Sequence, residues 1–263
     1  MAGPTTAERG ARPGPVSGQE GQEPEGRRFR LPRPGLLIAL AGAILLLAGG
    51  LWVLYGSQWL RAEKVSVSGT EVLGRARVAA VAAVPLGSPL ASVDTDAIGA
   101  RLRQELPRID SVEVDRSWPN AISLKVIERH PTLLIEKDGK FIEMDAGGVR
   151  FATVARAPKG VPLLRMTLEE SAGTRRFGAD RLTREAVRVR GELPPAAAAQ
   201  TRAVRVRSYD SITLELTRGR TVMWGSGENG AAKARALSAL MKAAPGAGHF
   251  DVSAPTAPAV AGS

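Results

Sequence analysis

Residues 36–55 read LLIALAGAILLLAGGLWVLY, twenty apolar positions without a charge. At about 1.5 Å per residue a helix of this length is roughly 30 Å long, the thickness of a bilayer's hydrocarbon layer. Inside lipid each peptide group must be paired within the segment, so a lone apolar run of this kind has one solution, a spanning α-helix. Trp52, Tyr55 and Trp59 gather at its C-terminal end, where an aromatic belt is expected. Arg27, Arg28, Arg30 and Arg33 precede the run and no acid lies between Glu25 and Glu63, whereas Arg61 and Lys64 come after it beside Glu63. The more basic flank stays in the cytoplasm, which places everything after the span outside. The run is longer than a signal-peptide core and no A-x-A site closes it, so the span is expected to persist uncleaved. Residues 1–35, rich in Pro, Gly, Glu and Arg, lack the large apolar residues that would offset the entropy of ordering them. The expectation is a single-pass type II protein of the inner (plasma) membrane, with residues 1–35 a disordered cytoplasmic tail and residues 36–56 the transmembrane helix.

The outer part of the chain must fold without cysteine, since there is none, and with aromatic residues at only 4% of positions. Disulfides and thiolate chemistry are excluded, two histidines leave little for a metal centre, and the core must rest on Val, Leu, Ile and Ala. The formal charge of +10 bears on surface partners rather than on fold.

Val65 and Val67 alternate with polar neighbours and predict a short strand ending at Gly69. Residues 75–84 read as a helix stopped by Pro85. Asp94 offers an N-cap to a second helix whose buried stripe is Ile98, Leu102 and Leu106. Residues 112–116 and 121–128 read as a hairpin turning at Ser117-Trp118-Pro119-Asn120. The order β-α-α-β-β is complete within about 70 residues, a small domain. Strands then dominate. Residues 133–136 and 140–144 flank the turn Lys137-Asp138-Gly139, and 149–151 come after a second turn at Gly147-Gly148. Residues 155–162 read as a loop and 180–193 as a helix ended by Pro194-Pro195. Residues 203–207, 211–216 and 220–224 form a meander, 231–244 a helix, and 249–253 a last strand, with 254–263 a frayed C-terminal tail.

One stretch carries the pattern of a cofactor site. Gly225-Ser226-Gly227-Glu228-Asn229-Gly230 fits G-x-G-x-x-G between a predicted strand and a predicted helix, with Asp251 about 20 residues on. A meander precedes it and a single short strand comes after it, so the second half of a nucleotide fold is missing and the motif reads as a Gly-rich turn. His130 and His249, the latter near Asp251, lack a Ser or Cys nucleophile motif. Glu113 and Asp115 share a strand face and read as solvated. Arg175, Arg176, Arg181, Arg184, Arg188 and Arg190 lack the interleaved aromatics of a nucleic-acid site. The expectation is therefore no catalytic, metal or cofactor residues, no small-molecule substrate and no nucleic acid.

The outer part resembles the FtsQ/DivIB family of bacterial cell-division proteins. Val65-Ser66-Val67-Ser68-Gly69 is similar to the opening strand of the family's POTRA domain. Val112 through Trp118-Pro119-Asn120 to Glu128-Arg129-His130-Pro131 is similar to its closing hairpin and the Glu-Arg-x-Pro after it. Phe141 to Asp145 with Gly147-Gly148-Val149, Leu214 to Gly225 with Lys233 and Leu237, and Asp251 to Pro255 resemble parts of the family's β domain. The high Ala, Gly and Arg content is similar to actinobacterial members. The resemblance implies an α+β fold: a single transmembrane helix, a POTRA domain (63–131), a mostly antiparallel β domain (132–253) and a tail (254–263). It implies a non-enzymatic divisome scaffold in septum formation at the division septum, with FtsB and FtsL among its partners. The alternative is another POTRA-containing protein of membrane assembly or secretion, which would call for tandem POTRA units or a barrel. An edge strand offers unpaired N–H and C=O groups that a partner can extend, and the candidate edge is the last strand, residues 249–253, running on into residues 254–260. In the family the C-terminal strand region receives a segment of FtsB, which carries over onto Phe250, Asp251, Val252, Ser253 and Ala254. Pro255 and Pro258 lie close behind and cannot donate to a ladder, so augmentation here should be short or one-sided. On this reading Val252→Glu weakens partner binding without unfolding the domain.

Overall fold

The structure is a computed structural model that describes residues 34–167 and 172–262. The expected tail, residues 1–35, lies outside the described residues except for its last two. The chain divides into two units, one ending at Gly50 and one beginning at Leu51. The described part of the first is the N-terminal portion of α1 (Pro34–Gly56), which from Gly35 on is exposed along its whole length. Among the described residues it is the one helix long and apolar enough to cross a membrane. A helix that shows Leu, Ile and Val on every side has no aqueous face, which fits a membrane span.

The second unit holds two sheets, each with its own apolar core. The first sheet is built from β1 (Lys64–Ser68), α2 (Arg75–Ala82), α3 (Thr95–Glu105), β2 (Ile109–Ser117) and β3 (Ala121–Glu128). Its strand order is β1-β3-β2, with β1 parallel and β2 antiparallel to the central β3. Period-two alternation puts Ile122, Leu124 and Val126 of β3 on the buried face, against Val78 and Ala82 of α2 and Ile98 and Leu102 of α3. Asp94 caps α3 as its sequence suggests, its Oδ1 accepting from Ala97 N at 2.9 Å. The first helix ends two residues before the predicted stop. Ala83 turns into the left-handed region (φ 45°) ahead of Pro85.

The second sheet comprises β4 (Leu133–Lys137), β5 (Lys140–Met144), β6 (Arg150–Val154), β7 (Leu163–Met166), β8 (Thr201–Ser208), β9 (Ser211–Leu216), β10 (Thr221–Gly225), β11 (His249–Asp251) and β12 (Ala259–Ala261). Its order is β12-β11-β10-β9-β8-β7-β4-β5-β6, mostly antiparallel. The β4–β5 turn uses Asp138 and Gly139, both at positive φ (53° and 70°), as a two-residue hairpin of this twist requires. Helices α4 (Ala172–Glu192, kinked at Gly178), α5 (Pro195–Gln200) and α6 (Gly230–Ala243) complete it. Leu182, Ala186 and Val189 of α4 and Leu237 of α6 join the buried faces of β8, β9 and β10 around Trp224. Three elements depart from the expectation drawn from sequence. β7 falls beyond the predicted loop. Pro195 opens a helix instead of merely ending one, since proline at the first helical position loses no hydrogen bond. The predicted frayed tail contains β12.

Glu128-Arg129, at the end of β3, joins the two sheets. The Glu128 carboxylate is buried and accepts from the backbone N–H groups of Glu71, Val72 and Leu73 (2.8, 3.1 and 2.9 Å), which fixes the entry to α2. Arg129 reaches Asp110 Oδ1 at 2.9 Å, Pro107 O at 3.2 Å and the carboxylate of Asp145. Asp145 in turn accepts from Gly147 N and Val149 N (2.9 and 2.8 Å), closing the Gly147-Gly148 turn. Arg108 pairs with the buried Glu143 and lies over the Phe151 ring, 5.1 Å from its centroid. Removing one partner of a buried pair strands the other, at a cost of roughly 3–5 kcal/mol, whereas replacing both with apolar groups is often neutral. Arg108→Ala should therefore lower stability by an amount in that range, and Arg108→Met combined with Glu143→Leu should recover most of it, as urea unfolding at equilibrium followed by circular dichroism will read.

Candidate protein-binding edge

The nine-stranded sheet ends at β12 on one side and β6 on the other. β11 is not the terminal strand. On one side it pairs parallel with β10 (Thr221↔His249, Val222↔Phe250, Met223↔Asp251) and on the other antiparallel with β12 (His249↔Ala261, Phe250↔Val260, Asp251↔Ala259). Its N–H and C=O groups are already engaged, and the free edge lies one strand further out. The chain gets there through Pro255 and Pro258, which turn it back, so the prolines end the β11 segment and launch β12.

Each residue expected to bind a partner has a definite place. Phe250 and Val252 are fully buried in the core, and Val252 N donates to Met223 O at 3.0 Å. Asp251 is half-buried and its Oδ1 accepts from Ser253 N (3.0 Å) and Ser253 Oγ (2.7 Å). Ser253 and Ala254 are exposed, in the connection between β11 and β12. Val252→Glu would thus bury a charge in the core, so the expectation that it spares the fold is corrected.

Thr221 N donates to Gly248 O at 2.9 Å and Val252 N to Met223 O at 3.0 Å, so in the parallel ladder Phe250 turns its backbone groups toward β10. Orientation alternates along a strand, so His249 and Asp251 face β12, where their partners Ala261 and Ala259 turn their backbone groups inward and Val260 turns its own out. Val260 presents its side chain to solvent (42% exposed). Beside it lies a cavity of about 380 Å³ lined by Ala244, Gly246, Ala247, Val260, Ala261 and Gly262. An incoming strand would find one outward backbone position, Val260, and an apolar hollow for a side chain. The candidate edge read from sequence ran on through residues 254–260 without resolving Ala259–Ala261 as a separate strand, because Ala-Val-Ala has little strand propensity and no length; the Pro255/Pro258 turn was the available signal.

The Gly-rich loop sits in a context that its sequence did not disclose, because β10, α6 and the parallel β11 form a βαβ unit. The glycines have a packing role there. A Cβ on Gly227 would lie 2.1 Å from Glu185 Oε2, and one on Gly230 1.7 Å from Glu192 Oε2. Gly225 takes φ 77° against Ser253. Two carboxylates of α4 fill the space beside the loop, where a pyrophosphate would meet both bulk and like charge. Lys233 is buried within this arrangement and donates to Ser226 O at 2.8 Å. Burial lowers its pKa, opposed by the charges of Glu228, Glu192 and Asp210.

The remaining candidates are engaged elsewhere. His249 Nδ1 is 2.7 Å from the Thr221 hydroxyl, and Asp251 serves Ser253, so the two do not meet. Glu113 pairs with Lys125 at 3.3 Å in solvent. Arg188 contacts Glu192 and Glu185, and Arg190 has its pKa lowered by burial. The side chains of Arg175 and Arg176 lie outside the described residues. Among the described residues no cluster of three metal-ligating side chains occurs.

The family model "POTRA domain, FtsQ-type" matches residues 60–129, the span of the first sheet. Curated relatives named cell division protein FtsQ match the chain, three of them as follows. That of Streptomyces venezuelae is 61% identical over 100% of this chain and 99% of its own length. That of Streptomyces coelicolor is 60% identical over the full length of both. That of Mycolicibacterium smegmatis is 36% identical over 76% of this chain and 57% of its own. A solved structure, the major extracytoplasmic domain of the cell-division protein DivIB from Geobacillus stearothermophilus, is similar at 17% identity and a TM-score of 0.32, over 44% of this chain and 93% of that one.

Two substitutions separate core from edge. Val252→Glu should abolish the cooperative thermal transition or lower stability by more than about 3 kcal/mol, because it buries an unpaired carboxylate. Val260→Glu, on an exposed side chain, should change stability by no more than about 0.5 kcal/mol. Differential scanning calorimetry on the two variants checks both.

Proposed function

Since the chain belongs to the FtsQ family of cell-division proteins, we propose that it is a non-enzymatic scaffold of the divisome that receives a strand from a small coiled-coil partner along the open edge of β12. The observation that carries this reading is the outward backbone position of Val260, at the end of the nine-stranded sheet, beside the cavity that Val260 lines. In the family the partner at this strand region is FtsB, with FtsL in the same assembly. Main-chain pairing supplies affinity and the hollow beside Val260 selects a side chain. Pro258 limits the ladder at the N-terminal end of β12, so the added strand is short and meets Ala259 to Ala261. Asp251, Ser253 and Ala254, in and beside the connection, are placed to contact the flank of such a strand; Phe250 and Val252 act from beneath by holding β11 in place.

The membrane reading belongs to the same proposal. α1 anchors the chain in the plasma membrane, residues 1–35 face the cytoplasm, and both sheets lie outside. Tethering to one membrane keeps partners at an effective concentration of roughly millimolar, so a short ladder suffices where free association would fail. Work at the division septum then consists in holding partners together.

Val260→Pro tests the edge. It deletes the outward N–H and leaves the inward pairing of Ala259 and Ala261 in place. Co-purification of the full-length protein with its FtsB partner from detergent extracts should drop by about tenfold or more, the size of one lost strand contact in so short a ladder, with the melting temperature little changed. Undiminished co-purification would place the partner elsewhere. Orientation is read separately: a β-lactamase fused after Ser263 should confer ampicillin resistance, and resistance absent from an expressed fusion would reverse the topology.

A further inference from the structure

We infer that the end of the POTRA domain bearing Trp59, Leu86 and Trp118 docks onto the lipid surface. These three come from different parts of the chain and are brought to one place. Trp59 sits in a single helical turn (Gln58–Leu60) just after α1, where the Ser57 hydroxyl caps Trp59 N. Next in the chain, Arg61 forms a bridge to Pro89, Ala62 N donates to Ser88 O at 2.9 Å, and Gly87 N donates to Ala62 O at 2.8 Å. The loop carrying Leu86 therefore lies against residues 61–62. Glu63 N donates to Asn120 O at 2.8 Å and Asn120 Nδ2 to Glu63 Oε2 at 2.8 Å, which brings the hairpin tip carrying Trp118 against residues 63–64.

All three side chains are open to solvent: Trp59 85%, Leu86 60%, Trp118 50%. The chain has four tryptophans; Trp52 is at the end of α1, Trp59 and Trp118 are here, and Trp224 is in the core. Large exposed apolar groups gathered at one end of a domain mark an interaction site. Chain length selects the occupant. From Gly56, the end of α1, to Arg61 is five residues, at most roughly 17 Å of extended chain. Ala62 is fully buried in the domain core, so no slack remains beyond it. If α1 crosses the bilayer, on which this inference rests, this end of the domain is held within reach of the headgroups, where Trp is favoured because its body is apolar and its N–H polar. Arg61, Lys64 and Arg116 flank the tip. Arg61 Nη1 donates to Gly87 O, and Arg116 donates to Leu90 O and Val93 O, so these cations stiffen the loops while leaving a basic rim for anionic headgroups. Glu63, the acid among them, is held by Asn120. Docking at three points fixes the tilt of the domain on the membrane and hence the height at which the β12 edge is displayed.

The test uses the full-length protein in liposomes of phosphatidylcholine and phosphatidylglycerol, with acyl chains brominated near the headgroup. In a Trp52→Phe, Trp59→Phe background, emission from Trp118 is taken as the difference from the same protein carrying Trp118→Phe as well. Brominated lipid should remove about half of that emission, as for a ring at the interface, and Leu86→Glu should restore most of it. Trp118 emission insensitive to bromine, or quenching unaffected by Leu86→Glu, overturns the docking. A parallel reporter with only Trp52 and Trp224, in the same lipid brominated near the headgroup, reads the anchor at the interfacial end of α1. Quenching there without quenching at Trp118 leaves the anchor standing and sinks the docking alone; quenching at neither sinks both.

Discussion

The structure outside the span depends on two arginines. Arg108 and Arg129 leave the first sheet at either side of its last hairpin and close onto Glu143 and Asp145 of the second. Two sheets with separate apolar cores have no shared hydrophobic layer to fix their angle, and a few charge-assisted hydrogen bonds do it instead. Such pairs add little net stability over an apolar substitute, but they are directional, and an apolar contact is not. The gain is a defined geometry between the first sheet and the edge that the second offers to a partner. Glu128 shows the same economy. One buried carboxylate satisfies three backbone N–H groups that would otherwise be orphaned ahead of α2. The Glu-Arg-x-Pro stretch is thus wiring, with neither residue free to bind a ligand.

Much of this is legible in the sequence, and the parts that are not share a cause. The spanning run, the Asp94 cap, the Ile98-Leu102 stripe, the Trp-Pro hairpin and the Asp138-Gly139 turn are all local signals, set by residues within one or two turns of each other. The elements that escape depend on neighbours remote in sequence. β7 is four residues long and pairs with β8, some forty positions away. β12 is three small residues whose only reason to be a strand is that β11 lies beside it. Propensity cannot find either, because strand formation is a property of the pair.

The Gly-rich loop makes the complementary point. Its sequence pattern and its βαβ setting both agree with a dinucleotide site, and a missing parallel neighbour is not what rules one out, because β11 supplies that neighbour. Occupancy decides the matter: Glu185 and Glu192 stand where the phosphates would need to be, and the glycines are there to admit them. Identical spacing can thus serve the close approach of a helix or of a ligand, and only the third partner tells them apart.

That the terminal strand is β12 and not β11 changes what selection could act on in the proposed scaffold. Had β11 been terminal, Phe250 and Val252 would have had to serve core packing and recognition together, and few substitutions satisfy both. With β12 outside it, the proposed recognition rests on the main-chain groups and the exposed side chain of Val260, while the core beneath is closed. Backbone recognition tolerates sequence drift on the surface, because any residue but proline supplies the same N–H and C=O. A short ladder is weak in isolation; in the proposed scaffold that weakness would be offset by a membrane holding both partners to one plane.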